Sequence, residues 1–227
     1  MIVENFYFNT AIILLASYLI GAFPSAYIAG KIKGVNISKT GSGNVGGMNT
    51  FSSVGKIAGV IVALTDAGKG FLVAYLASRF SGGHPYIVLW AVVAAVIGHT
   101  WMIYIGFKGG KGVATFLGGL LYLSPWSILI LYLIIMPIAL VLIKDTYLST
   151  TAGYFIFSFF IWIWEGSYLW LVFGLLITLL YLLKCLSFLI SYFTERRRDI
   201  SPIIKKLFKP FLEVFRKIRR EQDKGRG

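Results

Sequence analysis

Trp126-Ser127-Ile128-Leu129-Ile130-Leu131-Tyr132-Leu133-Ile134-Ile135-Met136-Pro137-Ile138-Ala139-Leu140-Val141-Leu142-Ile143 runs for eighteen residues without a charge. That is close to the about 20 apolar residues a helix needs to cross about 30 Å of hydrocarbon. No water is present there to serve the backbone, so its N–H and C=O groups must pair within the segment, which selects a helix. Six further stretches read the same way: 10–29, 57–77, 86–107, 113–123, 147–164 and 168–192. Two of them, 113–123 and 147–164, are short enough to be tilted, re-entrant or flanked by thinned bilayer. The fold class is therefore all-α: a polytopic integral membrane bundle of about seven transmembrane helices. Residues 1–192 form the transmembrane domain, and residues 193–227 a basic tail.

Composition agrees. The 227 residues are 57% hydrophobic and 14% charged, with mean hydropathy +0.78. A soluble domain carries about a quarter charged residues, so an ordinary soluble fold is excluded. The net charge is nevertheless +13, and twelve of the 22 Lys and Arg lie in residues 191–227. In that tail Ile204, Leu207, Phe208, Phe211, Phe215 and Ile218 recur at helical spacing between basic residues, with Pro210 dividing them. This is the pattern of a basic amphipathic helix on anionic headgroups, and membrane lipids rather than nucleic acid are the expected partners. Cys185 is the single cysteine. It allows no intrachain disulfide and no cysteine metal site, and no metal or cofactor is expected.

The first eight residues contain Glu4 and no Lys or Arg, so a cleavable signal is not expected. Lys31, Lys33, Lys39 and Lys56 follow the first stretch, Lys108 and Lys111 the third, and Lys144 the fifth. The connections after stretches two, four and six hold only Arg79 between them. The positive-inside rule then places the N-terminus outside and the C-terminus in the cytoplasm.

Polar chemistry collects in the basic connections. Residues 41–50 read Gly41-Ser42-Gly43-Asn44-Val45-Gly46-Gly47-Met48-Asn49-Thr50. Such a loop lets consecutive N–H groups point at one anion, or serves as a flexible connector. Lys108-Gly109-Gly110-Lys111-Gly112 precedes a helix beginning near Val113. Helix dipole, backbone N–H groups and two ammonium groups favour a phosphate there; positive-inside anchoring explains the lysines but not the glycines. The run lacks P-loop spacing. Asp66 and Lys69 share a helix face, and a self-neutralising pair is the simpler reading, with Lys69 lending charge to an anion as the other. His99 reads more readily as a packing residue than as a base. Ser149, Thr150 and Thr151 begin the sixth stretch, as helix caps or as one side of a pocket.

These loops resemble those of the acyl-phosphate-dependent glycerol-3-phosphate acyltransferases, the PlsY-type membrane family. The resemblance starts at Tyr18-Leu19-Ile20-Gly21-Ala22-Phe23-Pro24-Ser25-Ala26-Tyr27. It continues through 41–46, Asn49, Asp66 and Lys69-Gly70. It is most specific at Gly98-His99 and Phe107-Lys108-Gly109-Gly110-Lys111-Gly112-Val113-Ala114-Thr115, with a weaker match at Tyr147-Leu148-Ser149.

The resemblance implies a multi-pass enzyme of the cell membrane with its active site on the cytoplasmic face. It would move an acyl chain from acyl phosphate to the 1-hydroxyl of glycerol 3-phosphate, giving lysophosphatidate. Ser42, His99 and Lys111 are then the candidate catalytic residues. Candidate substrate-binding residues are Gly41, Gly43, Asn44, Gly46, Gly47, Asn49, Lys69, Lys108, Gly109, Gly110, Gly112, Thr115 and Ser149. Two departures stand out. Ser52 occupies the place of a family arginine, and Arg196-Arg197-Arg198-Asp199-Ile200 stands where the family carries His-x-Glu-Asn-Ile. They motivate a relative with another acceptor or donor, or an inactive lipid-binding one. An anion transporter is a further reading suited to Asp66 and Lys69, although no internal repeat is visible.

Overall fold

A computed structural model describes the backbone of residues 2–194 and the side chains of residues 6–186 other than 129. The basic tail and the Arg196–Ile200 motif lie outside the described residues. Among the described residues, those up to Leu186 form one compact unit.

Every regular element among the described residues is helical: α1 (Ile2–Gly21), α2 (Ser25–Ile32), α3 (Gly47–Ser53), α4 (Lys56–Phe80), α5 (Pro85–Thr100), α6 (Val113–Leu123), α7 (Pro125–Ile130), α8 (Met136–Ile143), α9 (Thr146–Glu165) and α10 (Tyr168–Thr194). Among the described residues, five helical runs are long and apolar enough to span a bilayer: Phe6–Ile32, Lys56–Phe80, Pro125–Ile143, Thr146–Glu165 and Tyr168–Leu186. Pro85–Thr100 and Val113–Leu123 are shorter apolar helices.

The boundaries depart from the hydropathy reading at physically definite places. The first stretch begins at Ile2 and breaks at Phe23-Pro24, where proline has no N–H to continue the helix. The third was expected to run to residue 107 but ends at Thr100. Gly106 and Phe107 both take positive φ, 68° and 58°, and turn the chain back so that the Met102 N–H donates to the Lys108 carbonyl at 3.3 Å. The fifth carries a π-helical turn, Leu131–Ile135, between α7 and α8, just before Pro137. A wider turn there accommodates a residue that cannot donate. The sixth is longer than expected, and its cap is Asp145, whose Oδ1 accepts from the N–H groups of Tyr147 and Leu148 at 3.0 and 2.9 Å. The hydroxyls of Thr150 and Thr151 turn back to the carbonyls of Thr146 and Tyr147 instead.

Helix α4 is central, packing against α1, α2, α3, α5 and α6. Lipid gives apolar helices little reason to associate, so close backbone approach at small residues holds such bundles together. A Cβ on Gly118 would strike the Ala67 backbone, and one on Gly70 the Thr115 carbonyl, which sets the α4–α6 crossing. Gly21 against Ala95 and Gly98 against Tyr18 set the α1–α5 crossing in the same way. Phe116 joins α6 to the C-terminal helices, its ring 5.3 Å from Tyr154 and 6.0 Å from Phe173.

Candidate active site

The 41–50 loop is organised by Asn49. Its side chain is buried and its Nδ2 donates to the carbonyls of Ile37, Thr40 and Asn44 at 3.1, 3.0 and 2.9 Å. Its Oδ1 accepts from the Ser42 N–H at 3.1 Å and the Ser53 hydroxyl at 3.3 Å. Gly41, at φ +60°, turns the chain tightly over this amide; a Cβ there would meet Asn49 Oδ1. Asn49 thus knots the loop rather than presenting a free amide.

The 108–112 loop folds back over the end of α5. The Gly110 N–H donates to the His99 carbonyl at 3.0 Å. Gly112, at φ +78°, caps α6, whose first-turn N–H groups have no partners within the helix. Lys111 lies with Nζ 3.6 Å from the centre of the Tyr147 ring, a cation–π contact.

Beneath these loops lies a buried ionic cluster. Asp66 Oδ1 accepts from Ser25 Oγ at 2.7 Å, pairs with Lys69 Nζ at 2.9 Å and lies 3.6 Å from His99 Nδ1. Lys69 also donates to the Phe23 carbonyl at 3.0 Å. Asp66, Lys69 and His99 are exposed by only 1, 6 and 3%, so each charge has its compensation inside the protein. Ser25 donates to the carboxylate rather than to the imidazole, which is not the order of a serine nucleophile activated by histidine.

The loops and cluster share one cavity of about 500 Å³. Asn44, Gly46 and Gly47 come to it from the first loop, and Lys111, Gly112 and Val113 from the second. Asp66 and His99 line its depth; Leu117, Met136 and Leu140 supply apolar lining, and Thr146, Thr150, Tyr132 and Tyr181 hydroxyl-bearing side chains. Charged and apolar lining together suit a ligand with an anionic head and a hydrocarbon tail.

Six expected site residues therefore meet: Asn44, Gly46, Gly47, His99, Lys111 and Gly112. The others are placed elsewhere. Ser42 and Lys108 are exposed and do not line the cavity, and Gly43 forms a turn with φ +69°. Gly109 and Gly110 are buried against α5. Lys69 lines a separate apolar groove with Leu19, Phe23 and Tyr104. Thr115 is fully buried in the α4–α6 contact, and Ser149 is buried with its hydroxyl donating to the Ala139 carbonyl at 3.1 Å.

Reading the sequence missed Ser25, Tyr132, Tyr181 and Lys184. Lys184, whose Nζ donates to the Thr100 carbonyl at 2.9 Å, was detectable as a charge within an apolar helix. The tyrosines carried no comparable mark, because each stands within an apolar run, Tyr132 between Leu131 and Leu133 and Tyr181 between Leu180 and Leu182.

Comparison with known proteins places this geometry. Residues 11–197 match the family described as Glycerol-3-phosphate acyltransferase. Glycerol-3-phosphate acyltransferase 2 of Moorella thermoacetica is 42% identical over 122 residues, covering 53% of this chain and 62% of the relative. The glycerol-3-phosphate acyltransferase of Geobacillus sp. is 46% identical over 131 residues, covering 56% and 65%. The chain thus spans less than two thirds of the length of these curated relatives. Two crystal structures of PlsY (YgiH), an integral membrane glycerol 3-phosphate acyltransferase, are also similar. The glycerol 3-phosphate form superposes with a TM-score of 0.73 at 27% identity, covering 86% of this chain and 96% of that one. The lysophosphatidic acid form gives 0.72 at 28%, covering 83% and 94%. With more than half of its length matched by the family and its helices superposing on those of an integral membrane relative, the chain belongs to the glycerol-3-phosphate acyltransferase family.

Proposed function

We propose that this chain transfers an acyl group from acyl phosphate to the 1-hydroxyl of glycerol 3-phosphate, releasing lysophosphatidate and inorganic phosphate at the cytoplasmic face of the cell membrane. One observation carries the reading: Lys111 and Gly112 at the start of α6 line the same cavity as the Asn44–Gly47 loop and an apolar lining of Leu117, Met136 and Leu140. The glycerol 3-phosphate and lysophosphatidic acid forms of the PlsY structures support the acceptor and the product.

The chemistry needs little from side chains. The acceptor hydroxyl oxygen attacks the acyl carbonyl carbon, the bond from that carbon to the phosphate oxygen breaks, and phosphate leaves. The hydroxyl proton passes to a phosphate oxygen. Alignment of the two substrates is the principal requirement. Lys111 and the first-turn N–H groups of α6 stabilise the departing phosphate. Ser42 and Lys108, on the exposed loops, meet the soluble acceptor, and His99 supports the cavity from below.

A second reading keeps the donor and changes the acceptor. Ser52 is exposed on α3 with its hydroxyl donating to the Met48 carbonyl at 3.2 Å, so this position offers a hydroxyl in place of the arginine that the resemblance implies. The test is product formation by the purified chain from acyl phosphate with glycerol 3-phosphate and a panel of other polyol phosphates. Lysophosphatidate with stoichiometric phosphate is the expected result. Transfer to a different polyol phosphate moves the acceptor; anion flux without transfer overturns the enzyme reading.

A further inference from the structure

We propose that Asp66 and His99 are positioning residues: Asp66 locks the imidazole, and the imidazole sets the height at which the loop bearing Lys111 lies over the cavity. The proposal rests on the reading of that loop as the phosphate site.

The chain returns antiparallel over the end of α5, through the Met102 N–H to Lys108 carbonyl bond at 3.3 Å and the Gly110 N–H to His99 carbonyl bond at 3.0 Å. A Cβ on Gly109 would strike the backbone carbonyls of His99 and Thr100. A Cβ on Gly110 would strike the His99 ring, meeting Nε2 and lying 2.9 Å from both Cδ2 and Cε1. Gly110 therefore abuts the Nε2 edge of the imidazole, close to the plane of the ring.

Contact with a side chain is ordinarily relieved when that side chain swings away. His99 has no such freedom. It is 3% exposed, and its Nδ1 lies 3.6 Å from Asp66 Oδ1. That oxygen is itself held by Ser25 at 2.7 Å and Lys69 at 2.9 Å, so α2 and α4 together fix the carboxylate that faces the ring. The next two residues of the loop, Lys111 and Gly112, enter the cavity lining. A ring that pivoted would raise or drop Lys111 with it. Gly110 stands at the Nε2 edge, so the ring that lines the cavity also meets the loop that carries Lys111.

The experiment is a set of double-mutant cycles on the full chain in detergent. Gly110→Ala is made in the wild-type, His99→Asn and Asp66→Asn backgrounds. His99→Asn keeps an amide near Asp66 and vacates the outer edge of the ring; His99→Ala repeats the arm with the polar contact also removed. Two readouts are taken: KM for acyl phosphate beside KM for glycerol 3-phosphate, and the concentration of inorganic phosphate giving half-maximal thermal stabilisation.

Gly110→Ala is expected to raise both the acyl phosphate KM and the phosphate midpoint about tenfold in the wild-type background, with the glycerol 3-phosphate KM unchanged. The same change is expected to cost less than about twofold beside His99→Asn, where the added methyl has room, and about threefold beside Asp66→Asn, where the ring is released. Equal costs in all three backgrounds overturn the proposal, as does a wild-type chain that phosphate does not stabilise. Phosphate midpoints that follow the expected pattern in a chain without acyl transfer sustain the proposal and sink the acyltransferase reading instead.

Discussion

Lys111, the residue to which the proposed chemistry assigns the departing phosphate, has an aromatic resting place. Its ammonium lies 3.6 Å from the centre of the Tyr147 ring, an attraction worth about 0.5–2 kcal/mol. Removing the ammonium by Lys111→Ala is expected to abolish transfer from acyl phosphate, and full activity in that variant would remove Lys111 from the site. Tyr147→Leu is expected to raise the acyl phosphate KM about fivefold, while Tyr147→Phe, which keeps the ring, stays nearer wild type. Steady-state kinetics of the two variants side by side decide it; equal KM values for Phe and Leu would rule out the ring as the holder. Lys111 was legible as a cavity residue because positive-inside anchoring accounts for a lysine there but not for the glycines around it. Asn49 was legible only as a polar loop residue. Its role depends on carbonyls from residues 37, 40 and 44, which come together only when the loop closes. Asn49→Ala leaves those carbonyls without their donor and is expected to cost about 1–3 kcal/mol, read as a lower thermal midpoint in detergent.

Helix identity was visible in hydropathy, and helix ends were not. Apolarity is continuous through Phe23-Pro24 and through residues 101–107, so nothing in a hydropathy count marks the break before α2 or the turn at Gly106-Phe107. Helix contacts follow the glycines more closely. Gly118 lies against the Ala67 backbone and Gly70 against the Thr115 carbonyl, so the α4–α6 crossing has no space for even one methyl group. Gly118→Leu must separate the two helices and, with them, Asp66 on α4 from Gly112 at the head of α6. The expected outcome is loss of monodisperse protein on size exclusion in detergent. Gly68→Ala is the control, because a Cβ on Gly68 meets nothing within 4 Å. Equal behaviour of the two variants would show that the crossing does not depend on close approach.

Across the whole molecule, the cavity draws on α4, α5, α6, α8, α9 and α10 and on both glycine-rich loops, so a site that is scattered in sequence is single in space. The alternation of basic and non-basic connections anticipated this gathering, since it placed residues 41–50, 108–112 and 144–151 on the same side. The side itself, cytoplasmic by the positive-inside rule, is a property of the chain in a bilayer and is tested there. Lys39, in the loop before α3, and Arg79, in the last turn of α4, are both exposed, whereas the native Cys185 is 2% exposed and serves as an internal blank. Lys39→Cys is expected to react with a membrane-impermeant maleimide in inverted vesicles and to stay protected in right-side-out vesicles; Arg79→Cys should show the reverse. The opposite pattern would place residues 41–50 and 108–112 outside. A soluble acceptor made in the cytoplasm could not then reach Lys111, and the proposed reaction would fail on topology even with its chemistry intact.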